Sequence, residues 1–251
     1  MDYEKTTYTQ WDGTSFERAS GDFIAEAPLM IDIKDAGSVV ILRTPGLESA
    51  HAAGFLLSAG YIETAEDIVA MEPSPTDNNY ILLILTKVCT KKAAFLMSQP
   101  KIAGEDVQRP KMPMTGSISA FQAFSCLEAH LTADRPLRTQ THSAHGSTIF
   151  DRALQPLCFA EDVGRHNALD KAVGQLLITG KLKNAYLLAL SSRMSLDLIQ
   201  KAAAANIELV LAKARPTTAA VALAKKLNIT VACMRKDGGL LIFSAPERLL
   251  P

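Results

Sequence analysis

The chain has 251 residues, 48% of them hydrophobic, with Lys plus Arg equal to Asp plus Glu at 26 each. That is enough apolar material for one large core or two smaller ones, and the neutral balance gives no footing to a sequence-independent nucleic-acid binder. No apolar run approaches the ~18 residues of a membrane helix, and "MDYEKTTYTQWDG" lacks the basic-then-apolar order of a signal peptide, so a soluble, cytoplasmic protein is expected.

Residues 1–115 are the irregular half, expected to form a small α+β domain that ends in a linker. "APLMIDI" and "GSVVILRT" read as two strands joined by a "KDAG" turn. "TPGLESAHAAGFLLSAGYI" reads as a helix, with Pro45 near its start and Gly60 near its end. "NNYILLILTKV" is another strand. "MSQPKIAGEDVQRPKMPMTG" is rich in Pro, Gly and charge and reads as a linker or mobile loop.

Residues 116–251 are more regular. "SISAFQAFSCLEAHL" has helical spacing. "AYLLALSS", "IELVLAKA", "ITVACMR" and "GLLIFS" read as strands, with helices "SLDLIQKAAAAN" and "PTTAAVALAKKLN" between the first three. The near-continuous apolar runs suit strands covered on both faces, and strand–helix alternation implies a mostly parallel sheet.

In such a sheet, ligands collect at the carboxyl ends of the strands. Three loops leave those ends: "SSRMS", "KARPTT" and "MRKDGG". They carry Arg193, Lys213, Arg215, Arg235 and Lys236, so each loop has an Arg able to grip a phosphate through two parallel hydrogen bonds. Ser195 and Thr217 are placed to cap the following helices, whose free N–H groups favour anions. A phosphate-bearing, nucleotide-like ligand is one reading; ordinary caps and solvated basic side chains are the other.

"EDVGRHNALDKAVGQLLITG" packs Glu161, Asp162, Arg165, His166, Asn167 and Asp170 around the start of a helix. Its apolar stripe is Leu169, Val173, Leu176 and Leu177, and Gly180 marks its stop. Glu161 and Asp162 beside Arg165 and His166 suit either a self-satisfied capping network or a ligand site in which the carboxylates orient the two basic side chains. "THSAHGS" adds His142 and His145 in a small-residue loop, too few ligands for a metal. The cysteines, Cys89, Cys126, Cys158 and Cys233, form no C-x-x-C pair and read as buried thiols, with no structural zinc site.

"EDVGRHNALDK" resembles the signature of the formate dehydrogenase accessory sulfurtransferase family (FdhD type). "TPGLESAHAAGFLLSAGYI", "SSRMSLDLIQKA" and "RPTTAAVALAKKLNIT" are similar to further segments of that family, with Ala59 where Glu is usual. "THSAHGS" resembles a T-G-G-x-H-A-A motif, with His142 and Ser143 at the glycine positions. "CMRKDGG" lies at an F-x-R-G-x-R loop and keeps Arg235. The resemblance covers about residues 24–244.

It implies a cytidine-deaminase-like, three-layer α/β fold for the second half, without the zinc signature. It also implies binding of a molybdenum or tungsten bis(molybdopterin guanine dinucleotide) cofactor, or a guanine nucleotide, with sulfur passed from a cysteine desulfurase to formate dehydrogenase. A homodimer is implied, and neither nucleic acid nor membrane as partner. The residues assigned to the cofactor are His145, Arg165, His166, Arg193, Ser195, Thr217, Cys233, Met234, Arg235, Lys236, Asp237 and Gly238. The family's C-G-x-C-G sulfur loop has no counterpart: "KKAAFLMSQPKIAGEDVQRPKMPM" contains no cysteine. No catalytic residue is therefore assigned. An accessory sulfurtransferase and a non-catalytic cofactor-binding chaperone stay open, with a nucleotide hydrolase as the weakest reading, since no nucleophile or metal set is visible.

Overall fold

The computed structural model describes residues 2–87 and 110–251. The linker reading of 97–116 lies mostly outside the described residues, as does Cys89; its last residues, 110–116, form no helix or strand. They are pinned rather than loose: Met112 N–H donates to Leu227 O at 2.8 Å, and the buried Arg248 guanidinium donates to Pro113 O at 2.7 Å.

Residues 3–24 form a long antiparallel hairpin that the sequence reading did not anticipate, β1 (Tyr3–Trp11) and β2 (Phe16–Ile24). The expected hairpin follows as β3 (Ala27–Ile33) and β4 (Gly37–Arg43). Helix α1 (Glu48–Ala59) ends at Gly60 as expected. Strands β5 (Ile68–Pro73) and β6 (Tyr80–Leu85) complete a four-stranded sheet of order β4-β3-β6-β5. The alternation in β3 puts Leu29, Ile31 and Ile33 fully inside, facing α1, while Met30 points outward.

The second half opens with β7 (Ile118–Ser119) and α2 (Ala120–Thr132). Ser119 and Gln122 form a reciprocal capping box at that helix start. A short helix α3 (Pro136–Thr141) leads to β8 (His145–Phe150) and β9 (Pro156–Asp162). Helix α4 (Arg165–Ile178), β10 (Leu187–Arg193), α5 (Leu196–Ala204), β11 (Leu209–Ala214), α6 (Thr218–Leu227), β12 (Thr230–Met234), β13 (Leu240–Ser244) and β14 (Leu249–Leu250) follow.

The six-stranded sheet has the order β13-β12-β11-β10-β8-β9. Its middle, β10-β11-β12, is parallel as expected, but β13, β8 and β9 all pair antiparallel. The mostly parallel sheet is corrected to a mixed one. Short turns join β8 to β9 and β12 to β13, and a hairpin turn reverses the chain where a crossover helix would keep strands parallel. Helix α2 covers one face through Ala123, Cys126 and Leu127 against Leu187, Leu209 and Leu211. Helices α4, α5 and α6 cover the other, against Leu188, Leu190, Val210 and Val231.

The same core continues through α1 to β3 and β6, because α1 packs tightly on α4. Two glycines permit this approach. A Cβ on Gly54 would lie 1.9 Å from Asp170 O, and one on Gly174 would lie 1.7 Å from Ala50 O. Any side chain at either position would have to push the two helix backbones apart.

Candidate functional site

One edge of the six-stranded sheet gathers nearly every residue the sequence singled out. Strand β8 runs opposite to β9 and β10, so its first residue, His145, lies at the same edge as the last residues of β9, β10, β11 and β12. His145 faces Asp162 in register, and Arg193 faces Ala214. The loops are tied together: Thr217 N–H donates to Met194 O at 3.0 Å and Gly146 N–H to Ser191 Oγ at 2.9 Å.

Arg165 and His166 open α4 at this edge, both half-buried. Arg193, Lys213, Arg215 and Lys236 are exposed around them. Among the described residues none of these six makes an ion pair, although the chain forms seven such pairs elsewhere. Of ten side-chain polar atoms shielded from solvent without a partner among the described residues, two belong to these loops, Arg165 Nε and Ser195 Oγ. Buried donors are seldom left unpaired in folded proteins, and at these two a polar ligand atom would supply the missing partner.

Ser195 takes the N-cap position of α5 as expected but makes no capping bond, which leaves its hydroxyl available. Thr217 caps α6, accepting from Ala220 N–H at 3.2 Å. The histidines do not add to the positive charge. Burial holds His145 and His166 below the usual imidazole range, and Arg165 reinforces this at both. Neutral near pH 7, each ring offers one donor and one acceptor.

The carboxylates of the signature segment form a satisfied network, one of the two sequence readings, but with partners other than Arg165 and His166. Glu161 and Asp162 end β9 rather than start the helix, and neither pairs with Arg165 or His166. Glu161 accepts from Leu137 N–H at 3.0 Å and faces Arg135 at 3.5 Å. Asp162 is fully buried and accepts from Thr44 N–H, Gly164 N–H and Asn167 Nδ2 at 3.1, 2.9 and 3.0 Å. Its ion pair is with Lys171, at 2.7 Å. Lys171 also donates to Thr44 O, and Val163 N–H donates to Thr44 Oγ1. All three polar groups of Thr44 therefore join this segment, bolting the α1 end of the first half to α4. Asp170 holds Lys201 at 2.7 Å and Ser58 at 2.7 Å in the same way. The bolts fix the α4 start, where Arg165 and His166 are half-buried.

The third loop is more self-contained than expected. Arg235 makes a bidentate pair with Asp237, at 2.6 and 2.7 Å, inside the tight turn through Gly238 and Gly239. Both glycines have positive φ, of 93° and 82°, which disfavours other residues there. Met234 is half-buried at the strand end, and Cys233 is fully buried in the core, so its thiol does not reach the edge. Cys126 is buried too, and burial raises both thiols. Cys158 is pushed up to about 12. Such thiols stay protonated, and the thiolate is the reactive form.

Two basic residues of this region escaped the sequence reading. Arg138, on α3, is exposed, adds to the field on His145 and donates to Ala144 O at 3.3 Å. Lys201, on α5, acts on His166. The "RPLRTQTHSAH" run, with two Arg shortly before the histidine loop, was the available signal for the first. Among the described residues no group of three His, Cys, Asp or Glu could hold a metal ion. No helix among them is long and apolar enough to cross a membrane.

The chain is 29% identical to the sulfur carrier protein FdhD of Thermoplasma acidophilum, over 94% of this chain and 89% of that protein. It is 32% identical to the sulfur carrier protein FdhD of Nocardia farcinica, over 92% and 89%. Its fold is similar to a crystal structure named for a formate dehydrogenase accessory protein of Desulfotalea psychrophila, with a TM-score of 0.79, 23% identity and 99% of each chain covered. The FdhD/NarQ family model matches residues 24–250, and the chain belongs to that family.

Proposed function

We propose that this protein serves formate dehydrogenase maturation by binding the guanine nucleotide end of a molybdenum or tungsten bis(molybdopterin guanine dinucleotide) cofactor at the strand edge. The observation that carries the reading is the placement of Arg165, Arg193 and Arg215 at one end of the sheet, none of them in an ion pair among the described residues, with Arg165 Nε and Ser195 Oγ shielded and unpartnered there. Arginines free of carboxylates suit a diphosphate, which offers acceptors to several guanidinium groups at once. The amide N–H groups that open α5 and α6 face the same charge. His145 and His166, neutral and half-buried, suit hydrogen bonds to a base or sugar. The layers of the second half, one helix on one sheet face and three on the other, are compatible with a cytidine-deaminase-like arrangement.

Guanosine diphosphate binding by calorimetry tests the reading. Saturable binding is expected, weakened by Arg193→Ala by about 1.5–3 kcal/mol for the loss of charge-assisted contacts. Wild-type protein that does not bind the nucleotide refutes it.

A second reading within the same site is a cofactor-binding chaperone that does not relay sulfur itself. It is favoured by the three described cysteines, two buried and one half-buried, each with a raised thiol pKa. Mass spectrometry after incubation with a cysteine desulfurase and cysteine separates the two. A persulfide on any cysteine supports transfer; nucleotide binding without a persulfide supports the chaperone.

A further inference from the structure

The third loop of the strand edge differs from the other two. Arg193 and Arg215 make no ion pair among the described residues. Arg235, by contrast, is gripped by Asp237 through Nε and Nη2, at 2.6 and 2.7 Å. The turn does not need that grip to close. Arg235 N–H donates to Gly239 O at 2.9 Å and Gly238 N–H to Arg235 O at 3.3 Å. Strands β12 and β13 already pair below it through Met234 and Leu240. Among the described residues the Asp237 carboxylate has no other hydrogen-bond partner than Arg235.

Strand register puts this guanidinium beside the residues proposed to hold phosphate. Arg193 faces Ala214, and Ala212 faces Cys233. Arg235 lies two residues beyond Cys233, as Ala214 lies two beyond Ala212, so Arg193, Ala214 and Arg235 fall at one level of three adjacent strands. At ~4.8 Å between strands, Arg193 and Arg235 are about 10 Å apart. Alternation also gives them one face, the face on which Val210, Ala212, Val231 and Cys233 meet the helices. Arg165 and Ser195 stand at the starts of two of those helices, α4 and α5. Arg215 reaches the same corner, where its charge acts on the Cys233 thiol.

On the phosphate reading proposed above, we infer that Asp237 is an internal substitute for a ligand phosphate, holding Arg235 while the edge is free and yielding it when a phosphate group arrives. A carboxylate and a phosphate present the same two-oxygen edge to a guanidinium, so one replaces the other without rearranging the fork. The pair is 52% exposed at Arg235 and 70% at Asp237, and exposed ion pairs are weak. A phosphate, with more charge and as many acceptors, displaces the carboxylate; a halide, with one point of contact, does not match its two-point grip. The internal carboxylate keeps the edge selective for phosphate.

Calorimetric titration of the full chain with guanosine diphosphate and with inorganic pyrophosphate tests this, on the wild type, Asp237→Asn, Arg235→Gln and the double variant. Asp237→Asn keeps the side-chain size and the backbone bonds of the turn. It is expected to tighten both ligands about two- to fivefold, the worth of an exposed ion pair. In the double variant the gain over Arg235→Gln alone is expected to vanish, because no guanidinium is left to release. Wild-type binding that Asp237→Asn leaves unchanged overturns the exchange and leaves the proposed function standing. A gain that persists without Arg235 also overturns it, since Asp237 then acts only as a repelling charge. The expected pattern with pyrophosphate but no nucleotide binding supports the exchange and counts against the guanine ligand. A wild type that takes neither overturns both.

Discussion

Asp162→Asn isolates what the signature segment does for the fold. The carboxylate receives four donors, from Thr44, Gly164, Asn167 and Lys171, at 2.7 to 3.1 Å and without solvent contact. An amide keeps one acceptor oxygen and turns an NH2 group toward other donors. Lys171, 2% exposed, loses its counter-charge. Breaking one partner out of a buried ion pair destabilises by about 3–5 kcal/mol. For a chain of this length each kcal/mol lowers the melting temperature by about 2–4 °C, so a fall of about 10 °C is expected. Thermal and urea unfolding followed by circular dichroism measure it. The second arm is Lys171→Met in the Asp162→Asn background, which removes the uncompensated charge and is expected to recover much of the loss. A cost under about 1 kcal/mol for Asp162→Asn, or simple additivity of the two substitutions, would refute the bolt.

Acid stability and helix packing give two more expectations. Burial, with Lys171 and Lys201 beside it, lowers His51 to about 3, and burial with Arg135 lowers His130 to about 4. Both folded values lie below the unfolded ~6.5, so the unfolded chain binds protons first and stability is lost as pH falls below ~6.5. Each contributes a loss of about 2 kcal/mol by pH ~5, and His51→Leu should flatten the slope of unfolding free energy against pH; an unchanged slope would count against it. Gly174→Ala should destabilise by about 3 kcal/mol or more, because the obstacle to the new Cβ is the Ala50 backbone rather than a side chain that can turn away. A melting temperature within a degree or so of wild type would show that α1 and α4 can separate freely.

The parts read correctly from sequence are those whose cause is local. Strands β10, β11 and β12, with the helices between them, announce themselves by apolar runs of the right length, and Thr217 announces a cap by its position. Strand order led to the Arg193 loop, and the polar cluster at the start of a helix led to Arg165 and His166; the fold puts all three at one end of the sheet. The opening hairpin was missed although its cues are local: Thr, Tyr and Trp in β1 and an Asp12-Gly13 turn. Its alternation carries no apolar face, because nothing described here covers β1. β8 and β9 were missed for a related reason. One starts with His-Gly-Ser and the other with Pro, and their place in the sheet comes from pairing.

What the sequence by itself determined is the strands and helices with clear apolar periodicity, the family signature and the absence of a C-x-x-C sulfur loop. Only the tertiary structure decided which charged residues spend their charge inside. Asp162, Asp170 and Lys171 find their partners at Thr44, Ser58 and Lys201, contacts made by the close approach of α1 and α5 to α4. Ionic partners are set by distance in space, and a string of residues does not contain that distance. The same reason separates Arg235, which Asp237 neutralises two residues away, from Arg165 and Arg193, which make no ion pair among the described residues.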